Sequence, residues 1–256
     1  MKPGLRTLVL AAAIAALPAI PASADTVPVT YGPNPLLVEG AAITGTTVRG
    51  VVDWDSLADT GVCGQRLQVS VNRGAYTNVP VGTGSEQAYT FRYGVTYRFR
   101  VMVAEIDEGS TEGDCSFTPA VWDYGRYTKV TLVQENSTKM SYFGSWRRVP
   151  VAGMLGGYVM TSKGETHSSA SLETTGVYQS LWVTNTGPNR GEATLTHFVA
   201  DQSYERTIDT YSPVFVARAS FLVTDDDKIG VSWLTVAGTP GRPRVDLDAV
   251  VVLKYL

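Results

Sequence analysis

Thr96-Tyr97-Arg98-Phe99-Arg100-Val101-Met102-Val103 decides the fold class, because its large apolar side chains recur at every second position. A period of two puts Tyr97, Phe99, Val101 and Val103 on one face of a strand, with Arg98 and Arg100 on the other. The same period runs through Thr47-Val48-Arg49-Gly50-Val51-Val52-Asp53-Trp54 and through Leu67-Gln68-Val69-Ser70-Val71, which ends at the turn Asn72-Arg73-Gly74-Ala75. Outward from these runs the chain repeats the pattern, a short strand every 10–12 residues with turn residues between. Further strands are expected at Lys129–Gln134, Ser169–Glu173, Gln179–Val183, Glu192–Val199, Glu205–Tyr211, Lys228–Val236 and Val245–Leu253. No helical period longer than one or two turns follows the N-terminal segment. The expected fold class is all-β, two antiparallel β-sandwich domains.

The first 24 residues have the three parts of a secretory signal: Lys2 and Arg6, the apolar run Leu8–Leu17, and Ala22-Ser23-Ala24 as the cleavage pattern. Pro18 and Pro21 stop the apolar run short of the ~20 residues that a membrane-crossing helix needs. The expectation is a secreted, extracellular protein with no membrane insertion after signal cleavage. Without Lys2 and Arg6 the 21 basic residues fall to 19, against 24 acidic ones, and no run of five or more Lys and Arg exists. Nothing here attracts a phosphate backbone, so no nucleic acid is expected as a partner.

Cys63 and Cys115 are the two cysteines. Without a histidine cluster they do not make a zinc site of the usual kind. In an exported chain a single disulfide or two free thiols remain.

Residues 25–40 carry Pro28, Pro33 and Pro35 and read as an extended lead-in or edge strand. Residues 41–122 resemble a fibronectin type III domain, an immunoglobulin-like sandwich. Trp54 sits at the core tryptophan of its second strand, Gly94–Val101 looks like its sixth strand with Tyr97 as the packing tyrosine, and Ala104–Ser110 resembles the hairpin loop that follows. The resemblance places Cys63 and Cys115 at one pole, where a disulfide bond is geometrically sensible and would contribute about 3–4 kcal/mol.

Residues 127–256 resemble the galactose-binding-like jelly-roll domains, related to carbohydrate-binding modules, that secreted bacterial proteins carry after a fibronectin type III domain. The match runs through Val133-Gln134-Glu135-Asn136, Tyr142-Phe143-Gly144-Ser145-Trp146, Gly156-Gly157, Leu181-Trp182-Val183, Gly187–Gly191, Thr207–Ser212, Gly238-Thr239 and Val245–Leu253. It departs at Asp201-Gln202 and Glu173. By this resemblance Glu135 and Asp248 would help hold a structural calcium, with backbone carbonyls completing its oxygen shell. Asp246 and Asp248 share one face of the last expected strand, so their charges need compensation.

No Gly-x-Ser-x-Gly elbow occurs. His197, mid-strand, reads as a sheet-surface residue and His167 as a loop residue, so no catalytic group is expected. Asp225-Asp226-Asp227 reads as a solvated turn. For stacking on a sugar, Tyr158, Tyr178 and Tyr204 are the candidates, at strand edges or in loops, while Trp146, Trp182 and Trp233 read as core. Together these features suggest a non-catalytic binding protein for a polysaccharide or cell-surface component. The alternative is a structural or protein-interaction component of the cell envelope without a small ligand.

Overall fold

The computed structural model describes residues 32–54, 62–81, 84–106, 115–116, 121–162, 168–199, 202–223, 230–236 and 239–256. The signal segment 1–24, His167 and Asp225–Asp227 lie outside them. The described residues are all-β, with one single-turn 3-10 segment at Leu155–Gly157 and no α-helix. The first half contains β1 (Asn34–Leu37), β2 (Thr47–Asp53), β3 (Val62–Val71), β4 (Tyr76–Val79), β5 (Glu86–Arg92), β6 (Thr96–Ile106), β7 (Cys115–Ser116) and β8 (Val121–Tyr124). The second contains β9 (Thr128–Gln134), β10 (Met140–Phe143), β11 (Trp146–Pro150), β12 (Tyr158–Ser162), β13 (Ser168–Thr186), β14 (Glu192–Val199), β15 (Gln202–Asp209), β16 (Val216–Leu222), β17 (Gly230–Val236), β18 (Val245–Leu247) and β19 (Ala249–Tyr255).

The alternation in β6 does what its period dictates. Tyr97, Phe99 and Val101 are buried. On the opposite face Arg98 lies over the Tyr127 ring and Arg100 over Tyr76. Strands β1, β2 and β5 form a separate sheet that covers this core. Gly50 lets two of them close up, since a Cβ there would sit 2.4 Å from the Leu36 carbonyl oxygen and 2.9 Å from the Phe91 ring. Trp54 is buried and donates its Nε1–H to Gln65 Oε1 at 2.7 Å. The Arg92 N–H donates to Tyr97 Oη at 2.8 Å, tying the start of β6 to the end of β5.

One sheet runs through both halves, in the order β15-β14-β17-β13-β19-β9-β6-β3-β4. β9 joins them: it pairs along its whole length with β19, and at Thr128 and Lys129 with Tyr97 and Thr96 of β6. The Leu37 N–H of β1 also donates to Gln179 Oε1 of β13 at 2.7 Å, in a buried bond. A single apolar cluster accordingly contains Val48, Phe91 and Phe99 from the first half and Leu181, Val251 and Leu253 from the second. A further cluster on the opposite face holds Trp182, Val250 and Val252. β19 is therefore covered on both faces, which accounts for its unbroken apolar run Ala249–Leu253.

Several expectations are corrected. The segments Ser169–Glu173 and Gln179–Val183 belong to one long strand, β13, whose register shifts between Leu172 and Val177 and whose two ends serve different neighbours, β10 and β17, then β16 and β19. The expected strand Val245–Leu253 breaks at Asp248, where the chain passes from the small sheet β11-β12-β18 into the large one. β10, β11, β12 and β16 were not legible in the sequence. His197 is in the core between β15 and β17, not on a sheet surface.

Candidate functional site

Glu135 and Asp248 come together. Glu135 follows the end of β9, and its N–H donates to the Asp248 carbonyl at 2.9 Å. Their side chains are 2% and 0% exposed. Asp248 Oδ2 accepts from the Leu155 N–H at 2.9 Å, while Oδ1 is buried without a partner among the described residues. Burial pushes the Asp248 carboxyl up to about 7, with the Glu135 charge adding to the shift and the Leu155 bond opposing it. Gly156 and Gly157, at φ 65° and 77°, make the tight turn that aims the Leu155 N–H inward, a conformation that costs glycine least.

Arg148, on β11, donates Nε–H to Glu135 Oε1 at 2.9 Å, and its guanidinium carbon lies 3.9 Å from the centre of the Tyr158 ring. Pro150 pairs with Tyr158, so Arg148 and Tyr158 are diagonal neighbours on one face of the β11–β12 ladder. Tyr142 donates its hydroxyl proton to the Glu135 carbonyl at 2.7 Å. An unpartnered buried carboxylate oxygen beside a second buried carboxylate fits the oxygen chemistry of a calcium ion, and the residues that would hold it are Glu135 and Asp248.

Asp246 has partners of its own, which removes the need for Asp248 to share them. Arg190 Nε lies 2.9 Å from Asp246 Oδ2 and Arg244 Nε 2.8 Å from Oδ1, and Asn185 Nδ2 donates to Oδ2 at 2.8 Å. Burial lowers the Arg190 pKa, opposed by the Asp246 charge. This buried network supports a pole built from three loops. Parallel bridges join Gly187 to Tyr211 and Arg190 to Arg244, and Arg242 Nη1 donates to the Arg190 carbonyl at 3.3 Å. On that pole Arg242 grips Asp209 through both carboxylate oxygens, at 2.9 and 3.1 Å, and lies 4.9 Å from the centre of the Tyr211 ring. The bond from Arg242 holds the Asp209 carboxyl below the usual carboxylate range.

Tyr211 is 50% exposed and Phe215 48%, with exposed Val214 between them. Immediately beyond, a groove of about 610 Å³ runs between residues 39–43 and β16. Arg218 spans it, donating to the carbonyls of Gly153 at 2.6 Å and Ile43 at 3.3 Å.

The expected stacking tyrosines are dispersed. Tyr158 is partly exposed beside Arg148. Tyr178 is 2% exposed and packs its ring 4.5 Å from that of Tyr255, so it belongs to the core and offers no face to a ligand. Tyr204 pairs with His197 across β14–β15, and its side chain lies outside the described ones. Cys63 enters β3 and Cys115 opens β7, both at the far end of β6, with their side chains likewise outside. Of the tryptophans read as core, Trp182 is fully buried and Trp146 half-buried against Tyr142. The pole residues Asp209, Tyr211, Phe215 and Arg242 escaped sequence reasoning as ligand candidates. The available signal was an aromatic on either side of the Ser212-Pro213 turn.

No family model and no curated protein matches the chain. Among solved structures it is similar to a carbohydrate-binding module of family 29, at 17% identity over 49% of this chain and 88% of that one, with a TM-score of 0.35. It is also similar to a Paenibacillus xanthan lyase, at 13% identity over 90% of this chain and 26% of that one, TM-score 0.37. An exo-β-1,3-galactanase from Phanerochaete chrysosporium matches at 11% identity over 88% and 57%, TM-score 0.32. Likeness at this level says nothing about ligand or activity.

Proposed function

We propose that the protein is a secreted, non-catalytic binding protein that recognises polysaccharide through the Tyr211–Phe215 pole. One observation carries the reading: two half-exposed rings stand on a pole locked by backbone bridges, beside an Arg242–Asp209 pair already fixed in orientation. A pyranose presents an apolar face to such rings and hydroxyls to a fixed guanidinium and carboxylate. Preorganised groups of this kind lose little entropy when a ligand docks. The adjoining groove between residues 39–43 and β16 provides room for the ligand to continue along the surface.

In this reading the chain is exported by cleavage after Ala24. The first half, read as a fibronectin type III-like sandwich, acts as a scaffold for the second. Calcium at Glu135 and Asp248 is a structural ion. A protein partner in place of a sugar is favoured by one feature, the exposed aliphatic Val214 between the two rings.

The test is retention of the protein on a panel of insoluble polysaccharides and cell walls, comparing wild type with Tyr211→Ala and Phe215→Ala. Retention on a polymer that both substitutions abolish supports the reading. Absence of retention on every polymer, or retention that both variants keep, sinks it.

A further inference from the structure

We propose that Arg148 is a displaceable stand-in for a divalent cation at Glu135 and Asp248, so that cation binding uncovers the Tyr158 ring. This rests on the calcium reading above and adds a coupling between the ion and an aromatic surface.

Two buried carboxylates meet at this place, and Arg148 is in contact with one of them: its Nε is 2.9 Å from Glu135 Oε1. Among the described residues it reaches Glu135 alone, and Asp248 Oδ1 has no partner. Arg148 compensates Glu135 alone; no cation touches Asp248, on which Arg218 acts only at a distance, and a buried carboxylate without a counter-ion in contact is costly to ionise. A divalent ion balances both carboxylates at once and takes oxygen ligands of this kind.

Arg148 is suited to yield. Its side chain is 44% exposed, so its charge returns to water without crossing the core. Glu135, at 2%, cannot move out to follow it. Nε–H to Oε1 is the bond that anchors the guanidinium, and the same group covers one face of Tyr158 at 3.9 Å. A cation between Glu135 and Asp248 competes for that oxygen and repels the guanidinium. Once the anchor is gone, the stacking on Tyr158 is left as an exposed cation–π contact, which is weak by itself. The ring face then opens to solvent and to a ligand. The turn Leu155–Gly157, which supplies the N–H to Asp248, leads directly into Tyr158, so the ring and the cation site are adjacent in the chain as well.

The experiment is a calorimetric titration of calcium chloride into the metal-stripped full chain, for wild type, Arg148→Ala and Asp248→Asn. Removing the competitor should tighten calcium binding about tenfold in Arg148→Ala, the scale of one charge-assisted hydrogen bond. Asp248→Asn should bind none. Equal or weaker binding by Arg148→Ala overturns the proposal while leaving the cation reading in place. No calcium uptake by wild type or Arg148→Ala overturns both. A second measurement needs no variant: in wild type the Arg148 Nε–H NMR signal should lose its hydrogen-bonded shift and exchange rapidly with water on calcium addition. A signal unmoved at saturating calcium overturns the proposal.

Discussion

Arg190 and Asp246 form an ion pair of 2.9 Å in which both side chains are almost wholly withdrawn from water. The pair ties the 187–191 loop to β18, and that loop carries the ring-bearing pole. Breaking a buried pair leaves a charge without compensation, which costs more than the pair itself contributes. Asp246→Ala should lower the unfolding free energy by about 3–5 kcal/mol in denaturant titrations. The double replacement Arg190→Met with Asp246→Leu should lose less than either single one. A double variant worse than both singles would contradict this account.

The buried carboxyl of Asp248 predicts a pH dependence for the metal-free protein. Its folded pKa is about 7, above the ordinary value of 3.8, so the folded state holds its proton more tightly than the unfolded chain does. The contribution of this group is then greatest below pH 4, declines as pH rises from about 4 to about 7, and levels off above. One group accounts for at most about 1.4 kcal/mol per pH unit. Asp248→Asn, neutral and of the same shape, should flatten this part of the profile and raise stability at neutral pH. Chemical denaturation at a series of pH values reads both.

Tyr211 and Tyr178 should behave in opposite ways. Tyr211→Ala removes an exposed ring, so melting temperature should hold while polysaccharide affinity falls roughly tenfold, on the scale of an aromatic contact. Tyr178→Ala opens a cavity in the core and should cost about 3–5 kcal/mol of stability, as large-to-small core replacements do. Calorimetry and affinity electrophoresis on the two variants separate a ligand-facing ring from a packing one.

Gly50→Ala should loosen the first strand. The added methyl would meet the Leu36 carbonyl of β1 at 2.4 Å, and backbone cannot swing aside as a flexible side chain can. β1 should be displaced from β2, with a loss of about 1–3 kcal/mol and faster proteolysis near residues 34–37. Unchanged protease resistance would show that β1 is held elsewhere, through Leu37 and Gln179.

The all-β class was legible because strand periodicity is a local property. Tyr97, Phe99 and Val101 declare their common face within five residues, and the structure buries all three. Strands β9 and β14 were likewise located within a residue or so of their ends. The proximity of Glu135 and Asp248 was reached only through resemblance, since nothing in their own neighbourhoods points from one to the other across 112 intervening positions of the chain.

By itself, then, the sequence determined that segments such as β6, β9 and β14 extend, and which face of β2 and β6 is apolar. Partner choice was decided elsewhere. That β9 pairs with β6 as well as β19, joining the two halves in one sheet, depends on strand edges that are distant in the chain. The break at Asp248 hides inside an alternating run because the residue keeps the pattern while its backbone changes sheets. Tyr178 and Tyr211 are the same residue type at the edges of the expected strands, and only the layers packed around them bury one and expose the other. Side-chain period is fixed by neighbours in the chain, whereas burial and charge pairing are fixed by neighbours in space.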